Sequence, residues 1–160
     1  MIRIILLLIP ISLLSQDVPV GQWKDYLAYN QTTDVVIANE KIYCVTQGGL
    51  YYYNTVDNSV NRLSKINGLS DNEIDQINYN NYNNTLLITY ENCNVDLLKN
   101  DEIFNVSDIK RKEINGLKKI NNILFNENLA YLSCSFGVVV IDLVKKETKD
   151  TYKIGENGEF

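Results

Sequence analysis

The side chains of this 160-residue chain that could act as general acids or bases are mainly carboxylates, because the sequence contains no histidine. The missing histidine excludes Ser-His and Cys-His nucleophile pairs and removes the commonest transition-metal ligand. Two carboxylates could still cleave a glycosidic bond. The aspartates, however, fall mainly at expected turns and strand ends, where a short acceptor satisfies nearby backbone N–H groups: Asp34, Asp57, Asp71, Asp75, Asp96 and Asp101. We therefore predict that the chain has no catalytic residue.

Two acidic clusters carry the hard oxygen ligands that Ca²⁺ prefers. One combines Asp71, Glu73 and Asp75, and the other is the run 100–102, Asn-Asp-Glu. Neither spacing reproduces an EF-hand loop, which has a central glycine and a distal glutamate. The principal prediction is therefore that the chain has no metal ligand, and an ion held by Asp71 with Asp75 in a loop is the alternative.

The glycine pair Gly48-Gly49 is the other motif that could bind a ligand. A phosphate-binding loop opens a helix, whereas this pair joins two β-rich runs. We interpret it as hairpin chemistry and predict no cofactor and no cofactor-binding residue.

The three cysteines do not form a disulfide framework, because their number is odd and their spacing fits no small stapled fold. We expect Cys44 within a strand, Cys93 at a turn and Cys134 at a strand end, and equivalent strands in neighbouring units are too far apart for a disulfide. Cys44 and Cys134 are expected to be buried free thiols. Cys93 is the thiol that could be exposed and reactive.

The chain is acidic, with 15 basic against 20 acidic residues and a formal net charge of −5. An acidic surface repels phosphate backbones, and the longest basic runs, 110–112 and 118–119, are too short to offset this. Short charge runs usually solvate a loop. Nucleic acid is therefore not a predicted partner.

Residues 1–15 have the layout of a secretory signal peptide, with Arg3 as a basic start, a mostly apolar run over 4–14 and the small Ser15 before Gln16. The run is too short for a comfortable membrane span, and no cysteine follows it to carry a lipid. We predict that the protein is exported to the periplasm or the outer-membrane cell surface, with no integral membrane span.

A repeated segment governs the rest of the chain. Similar β-rich runs occur at 42–46, 86–90 and 130–134, and the step from Tyr43 to Leu87 and from Leu87 to Tyr131 is 44 residues each time. A period of about 40 to 50 residues made of short strands is typical of propeller blades. The first unit shows four such runs, 34–38, 42–46, 50–53 and 60–64, which predicts a four-stranded antiparallel blade.

The predicted organisation is an all-β propeller in an incomplete ring. After the signal peptide come a lead-in segment at 16–33 and a partial propeller at 34–160, with blades at about 34–74, 75–120 and 121–160. Propellers usually close with four to eight blades, so three blades would leave the ring open. An open stack completed by oligomerisation is the alternative.

The turn after the second strand recurs as Gly49, Cys93 and Gly137, again 44 residues apart. Glycine supplies the positive φ that such a turn needs. The second unit, which lacks glycine here, is expected to use Asn92 or Asn94 instead.

Three consecutive tyrosines at 51–53 lie in the expected third strand of the first unit. Alternation along a strand places Tyr51 and Tyr53 on one face and Tyr52 on the other. Packing against adjacent blades is the favoured interpretation, and a tyrosine platform for a sugar is the alternative.

These motifs resemble a known family. The segments 65–74, Lys-Ile-Asn-Gly-Leu-Ser-Asp-Asn-Glu-Ile, and 47–54, Gln-Gly-Gly-Leu-Tyr-Tyr-Tyr-Asn, resemble the repeat of two-component-regulator propellers. The opening 21–30, Gly-Gln-Trp-Lys-Asp-Tyr-Leu-Ala-Tyr-Asn, is similar to the start of the N-terminal propeller of PorZ-type components of the Bacteroidetes type IX secretion system. Tyr43 and Leu87 stand where regulator propellers usually have tryptophan, which favours the secretion component.

The resemblance implies a large exported protein with two propellers and a C-terminal sorting domain. It implies a non-enzymatic accessory of the cell-surface sortase, with other secretion-system proteins as partners and anionic lipopolysaccharide as a further one. Two alternatives stay open: the periplasmic sensor propeller of a two-component regulator, and a fragment of a propeller glycosidase or lyase.

Overall fold

The computed structural model describes residues 29–153, which form three four-stranded antiparallel sheets. The first sheet contains β1 (Thr32–Ala38), β2 (Lys41–Thr46), β3 (Gly49–Asn54) and β4 (Val60–Leu63). The second contains β5 (Ile74–Asn80), β6 (Thr85–Tyr90), β7 (Val95–Lys99) and β8 (Glu102–Val106). The third contains β9 (Ile120–Asn126), β10 (Leu129–Cys134), β11 (Gly137–Asp142) and β12 (Glu147–Tyr152).

The prediction of about three four-stranded blades of an incomplete ring is confirmed. The predicted signal peptide and most of the predicted lead-in segment lie outside the described residues.

Each sheet is a meander in which consecutive strands pair through short turns. Asparagine occupies several turns in the left-handed region, with φ of 54° at Asn39, 56° at Asn84 and 52° at Asn100. Asparagine tolerates this conformation better than most residues, which explains its abundance between the strands. At Gly137, where φ is 135°, an added Cβ would lie 2.1 Å from the carbonyl oxygen of Tyr152, so only glycine fits.

The first strands of neighbouring sheets approach one another, and side chains join them. Asp34 in β1 accepts a hydrogen bond of 2.9 Å from the backbone N–H of Ile77 in β5, and Gln76 donates one of 3.4 Å to the carbonyl of Ile120 in β9. Each of these strands also carries an irregularity in register near its start. The sheets therefore converge at their first strands, as blades do around a propeller axis.

Two apolar clusters hold the sheets together. The cluster between the first and second sheets includes Tyr43, Val45, Leu50, Ile88 and Leu98. The cluster between the second and third sheets includes Leu87, Val95, Leu97, Leu132 and Ile141. Leu87 and Ile88 are adjacent in β6 and point to opposite faces, so the second sheet serves both clusters.

Two connectors link the sheets. The first contains a 3₁₀ turn at Lys65–Asn67, ends it with Gly68 at φ 113° and buries Leu69. The second contains α1 (Asp108–Arg111) and buries Ile109. Sequence reasoning predicted neither helical turn, and it did not delimit β8 or β12, whose sequences are rich in charged and polar residues. In the described part of the chain, no helix has the length and apolar character to cross a membrane.

Candidate interaction surfaces

Asp96, one of the aspartates considered for chemistry, is a fully buried structural residue. Its carboxylate accepts hydrogen bonds from the hydroxyl of Tyr90 at 2.6 Å, the backbone N–H of Ser70 at 2.8 Å and the side-chain amide of Asn105 at 2.8 Å. Burial and the bond to Asp96 raise the pKa of Tyr90 above its usual value, so the phenol stays a donor. This network fastens the first connector to the second sheet.

Asp71, the leading candidate for a calcium ligand, is also occupied by protein donors. Its Oδ2 atom accepts hydrogen bonds from Lys110 at 2.8 Å, Asn92 at 3.1 Å and Asn94 at 2.7 Å. Partial burial opposes ionisation, but these bonds outweigh it and lower the pKa of Asp71. Asp75 is not part of this network, and residues 29–153 contain no group of three or more acidic or cysteine side chains placed to hold a metal ion.

The three cysteines are free and buried, as expected for Cys44 and Cys134. The expectation for Cys93 is wrong, because its side chain is only 1% exposed and packs in the cluster between the second and third sheets. Burial raises the pKa of the Cys93 thiol, which opposes reactivity. The expectation that Asn92 or Asn94 supplies the positive φ is wrong as well, since Cys93 itself adopts φ 61°.

A groove of about 270 Å³ opens between the first and second sheets, where three turns converge. Its floor is apolar and its rim is polar. The floor is made of Ala38, Tyr43, Leu86 and Leu98, and the walls and rim of Asn39, Glu40, Lys41, Tyr79, Asn84, Asn100 and Asp101. The amine of Lys41 lies 2.6 Å from the Asp101 carboxylate, and the Tyr79 hydroxyl lies 3.0 Å from Oδ1 of Asn84.

The corresponding position between the second and third sheets is closed by direct bonds. The side-chain amide of Asn80 donates a hydrogen bond of 2.7 Å to the carbonyl oxygen of Glu127, and that of Asn83 donates one of 3.4 Å to Oδ1 of Asn128. The turns after the third strands differ as well. In the third sheet the buried Leu143 follows β11, whereas in the second sheet the exposed Asn100 and Asp101 follow β7. The turns that leave a groove at the first seam are therefore joined directly at the second.

The outer face of the first sheet is apolar and partly uncovered. Val35, Ile37 and Val60 are 58%, 69% and 62% exposed. The chain just before β1 reaches over this face, where the Arg62 guanidinium lies 4.8 Å from the centre of the Tyr29 ring. Tyr52 points the other way and packs in the cluster between the first and second sheets, 5.2 Å from the Tyr43 ring. For Tyr52 the packing interpretation therefore holds.

The outer face of the third sheet is also partly uncovered, with Leu124 67% and Tyr152 52% exposed. Exposed apolar residues on a sheet face mark a place where another element can pack. The molecule thus offers two open sheet faces and one polar groove as candidate interaction surfaces.

Comparison with known proteins agrees with this geometry. Residues 42–159 match the family model described as the N-terminal β-propeller domain of PorZ from the type IX secretion system. Among solved structures, the chain is similar to PorZ of Porphyromonas gingivalis, described as an essential bacterial surface component of that system. The identity is 30%, the TM-score is 0.74, and the match covers 79% of this chain and 17% of the PorZ chain. A search of curated proteins found no significant match.

More distant structures share the fold alone. AztD of Citrobacter koseri is 10% identical with a TM-score of 0.60, over 78% of this chain and 34% of its own. The extracellular domain of a proposed hybrid two-component system of B. thetaiotaomicron is 18% identical with a TM-score of 0.56, over 76% of this chain and 16% of its own. The resemblance to both PorZ and regulator propellers is therefore confirmed at the level of fold, and PorZ is similar in sequence as well.

Proposed function

The chain belongs to the family of PorZ N-terminal β-propeller domains, and from this membership we propose that it is a non-catalytic interaction scaffold in an exported component of a type IX secretion system. The observation that carries the proposal is the match to PorZ, at 30% identity and a TM-score of 0.74 over 79% of the chain. The match covers only 17% of the PorZ chain, so any activity or partner of a complete PorZ-type protein is a proposal for this chain.

The use made of the carboxylates supports a scaffold over an enzyme. Asp34 and Asp96 bind backbone N–H groups of neighbouring segments, Asp71 binds three donors, and Asp142 accepts from the backbone N–H groups of Val144 and Lys145. A catalytic acid or base must instead reach a substrate proton. Of the aspartates weighed for glycosidase chemistry, Asp34, Asp71 and Asp96 are engaged in holding strands and connectors together.

The proposed partners are other proteins of the cell-surface sortase complex, and the proposed location is the periplasm or the outer-membrane surface. The net charge of −5 favours contact with proteins over direct contact with anionic lipopolysaccharide, which the chain would repel. Lipopolysaccharide is therefore proposed as a partner of the assembled complex. Export would depend on residues 1–15, which lie outside the described residues.

The test is deletion of the gene in the native bacterium, followed by quantitative mass spectrometry of cell-surface and medium fractions. We expect proteins that carry type IX sorting domains to disappear from the surface, and a plasmid copy of the gene to restore them. Cross-linking with an affinity tag on the restored copy should recover other secretion-system proteins. An unchanged surface proteome in the deletion strain would refute the proposal.

A sensor propeller of a two-component regulator is the second candidate, because the segments 47–54 and 65–74 resemble the repeat of regulator propellers and the chain is structurally similar to regulator extracellular domains. That similarity, at 18% and 14% identity, supports the fold and carries no function by itself. The two candidates predict different sequence after residue 160. A second propeller and a sorting domain would support the secretion component, whereas a membrane span followed by a kinase would support the sensor.

A further inference from the structure

Tyr43 lines the groove between the first and second sheets and brings a hydroxyl to it. Tyr43 is only 5% exposed, and its hydroxyl oxygen is not one of the fully enclosed, unpaired polar atoms of residues 29–153, so it stays accessible from the groove. Burial raises the pKa of Tyr43 to about 12, so the group is a neutral phenol that can both donate and accept. The hydroxyl can therefore accept a hydrogen bond from a ligand that enters the groove.

The charge of the groove points to the type of ligand. Two carboxylates, Glu40 and Asp101, and one amine, Lys41, lie on its walls and rim. Lys41 pairs with Asp101 at 2.6 Å, whereas Glu40 makes no ion pair among the described residues. The groove therefore carries a net negative charge, which disfavours a phosphate or carboxylate ligand and attracts a cation.

Lys41 shows that the same surroundings accommodate a cationic side chain. Its amine lies 4.7 Å from the centre of the Tyr52 ring and 2.6 Å from Asp101. A ring face and a carboxylate together stabilise a cation. Tyr43 and Tyr79 provide further rings along the groove, and Glu40 provides the unpaired carboxylate.

We propose that this groove binds one arginine side chain of a partner protein. The apolar floor at Ala38, Leu86 and Leu98 would pack against the methylene stem, while the guanidinium would donate to the Glu40 carboxylate and the Tyr43 hydroxyl oxygen. Arginine fits better than lysine because its planar fork can reach two acceptors at once.

The size of the groove agrees with a single side chain. Its volume of 270 Å³ is below the range of about 300 to 1,000 Å³ that drug-sized ligands occupy. Strands β2 and β6, which contribute Tyr43 and Leu86, are each paired on both sides within their sheets, whereas Ala38 and Tyr79 belong to the edge strands β1 and β5. The small volume is therefore the feature that favours capture of a single side chain.

The proposal rests on the scaffold function only for the statement that the partner is a protein. The test uses the full chain with tyrosine rings labelled for NMR and titrates N-acetyl-arginine amide. N-acetyl-lysine amide, N-acetyl-glutamate amide and methyl glucoside serve as comparison ligands. We expect saturable shifts at Tyr43 with the arginine compound, weaker binding of the lysine compound, and no binding of the other two at the same concentrations.

Two variants and two matched controls locate the site. Glu40→Gln and Tyr43→Phe should each weaken binding by about tenfold, the typical effect of removing one charge-assisted hydrogen bond. Glu127→Gln removes the same charge from the equivalent turn of the third sheet, and Tyr131→Phe removes the hydroxyl at the position two 44-residue repeats after Tyr43. Both controls should bind as the unsubstituted chain does.

The proposal is overturned if arginine fails to saturate, if the controls weaken binding as much as the groove variants, or if the glucoside binds there in preference. Should Tyr43→Phe fold poorly, Glu40→Gln decides the result, because Glu40 is an exposed turn residue. A secretion defect in the deletion strain without arginine binding would refute this inference alone and leave the scaffold function standing.

Discussion

The second sheet is covered on both faces, whereas the first and third sheets are each covered on one. All six residues of β6 are buried, while β10, the equivalent strand of the third sheet, alternates between buried and accessible positions. Strands β2, β6 and β10 occupy the same position in the 44-residue repeat. We therefore attribute their difference in burial to the sheets that lie next to them. A blade buries its faces only against other blades, and the outer faces of the first and third sheets are places for further packing.

The largest test of this comparison substitutes one isoleucine in each kind of face. Ile88→Ala in the second sheet should lower the free energy of unfolding by about 2 to 5 kcal/mol, because it removes fully buried methyl groups and leaves a cavity. Ile37→Ala, at a position 69% exposed on the outer face of the first sheet, should cost less than about 1 kcal/mol. Urea unfolding of both variants measures the difference.

If Ile37→Ala lowered the free energy of unfolding as much as Ile88→Ala does, the proposed difference between the two faces would be wrong. It would show that the outer face of the first sheet is covered in solution, by another part of the protein or by a second copy. Repeating the measurement over a range of protein concentrations separates these two cases, since only the second depends on concentration.

The two connectors also differ in burial, as the sheets do. Each has an Asn-Gly-Leu sequence, but Leu69 in the first connector is 4% exposed and Leu117 in the second is 75% exposed. In the second connector Ile109 of α1 is buried instead. Leu69→Ala should therefore destabilise the fold by about 2 to 4 kcal/mol, and Leu117→Ala should lie within about 0.5 kcal/mol of the unsubstituted chain.

Thermal or urea unfolding of the two leucine variants provides the measurement. Equal losses at Leu69 and Leu117 would mean that the second connector is buried in solution, and the difference between the connectors would then disappear. A large effect at Ile109→Ala with no effect at Leu117→Ala would confirm that α1 has taken over the packing role.

Sequence reasoning predicted the sheets because the periodic signals lie within single strands and turns. The 44-residue step from Tyr43 to Leu87 and Tyr131 marks the same strand three times, and its apolar composition is visible without a structure. The outermost strands β8 and β12 were not delimited, since their charged and polar residues resemble loops. Local composition is a weak guide where a strand is held mainly by its pairing partner.

The groove could not be predicted, because it depends on how two sheets pack. Asn39, Asn84 and Asn100 are each recognisable as turn residues, but they are far apart in sequence and meet only through the seam between the first two sheets. The burial of Cys93 was missed for a related reason. A turn is usually exposed, and this one is covered by the third sheet.

The cysteines test whether burial in the second sheet is as complete as the comparison requires. Cys93 is 1% exposed, and Cys44, on the outer face of the first sheet, is 9% exposed. Iodoacetamide should modify Cys93 at least about a hundredfold more slowly in the folded chain than in urea, because reaction requires opening of the seam. Cys44 should react earlier than Cys93, as peptide mapping by mass spectrometry can show. Modification of Cys93 first would contradict its burial between the sheets.

The smallest expected effect concerns how the connectors are held at pH values near 4. Asp71 ties the first connector to Asn94 and, through Lys110 of α1, to the second connector, which is also held near Ser135 by uncharged bonds to Leu117 and Lys119. Because the pKa of Asp71 is lowered on folding, its stabilising contribution is complete above the ordinary value of 3.8 and is lost as the pH falls below it.

Asp71→Asn should therefore cost about 1 kcal/mol at pH 7, and this cost should shrink as the pH falls through the acidic range. Ser135→Ala should cost a similar amount with no such pH dependence, because no charge is involved. If urea unfolding at several pH values gave parallel curves for the Asp71→Asn variant and the unsubstituted chain, the ionised Asp71 would not be what secures the first connector.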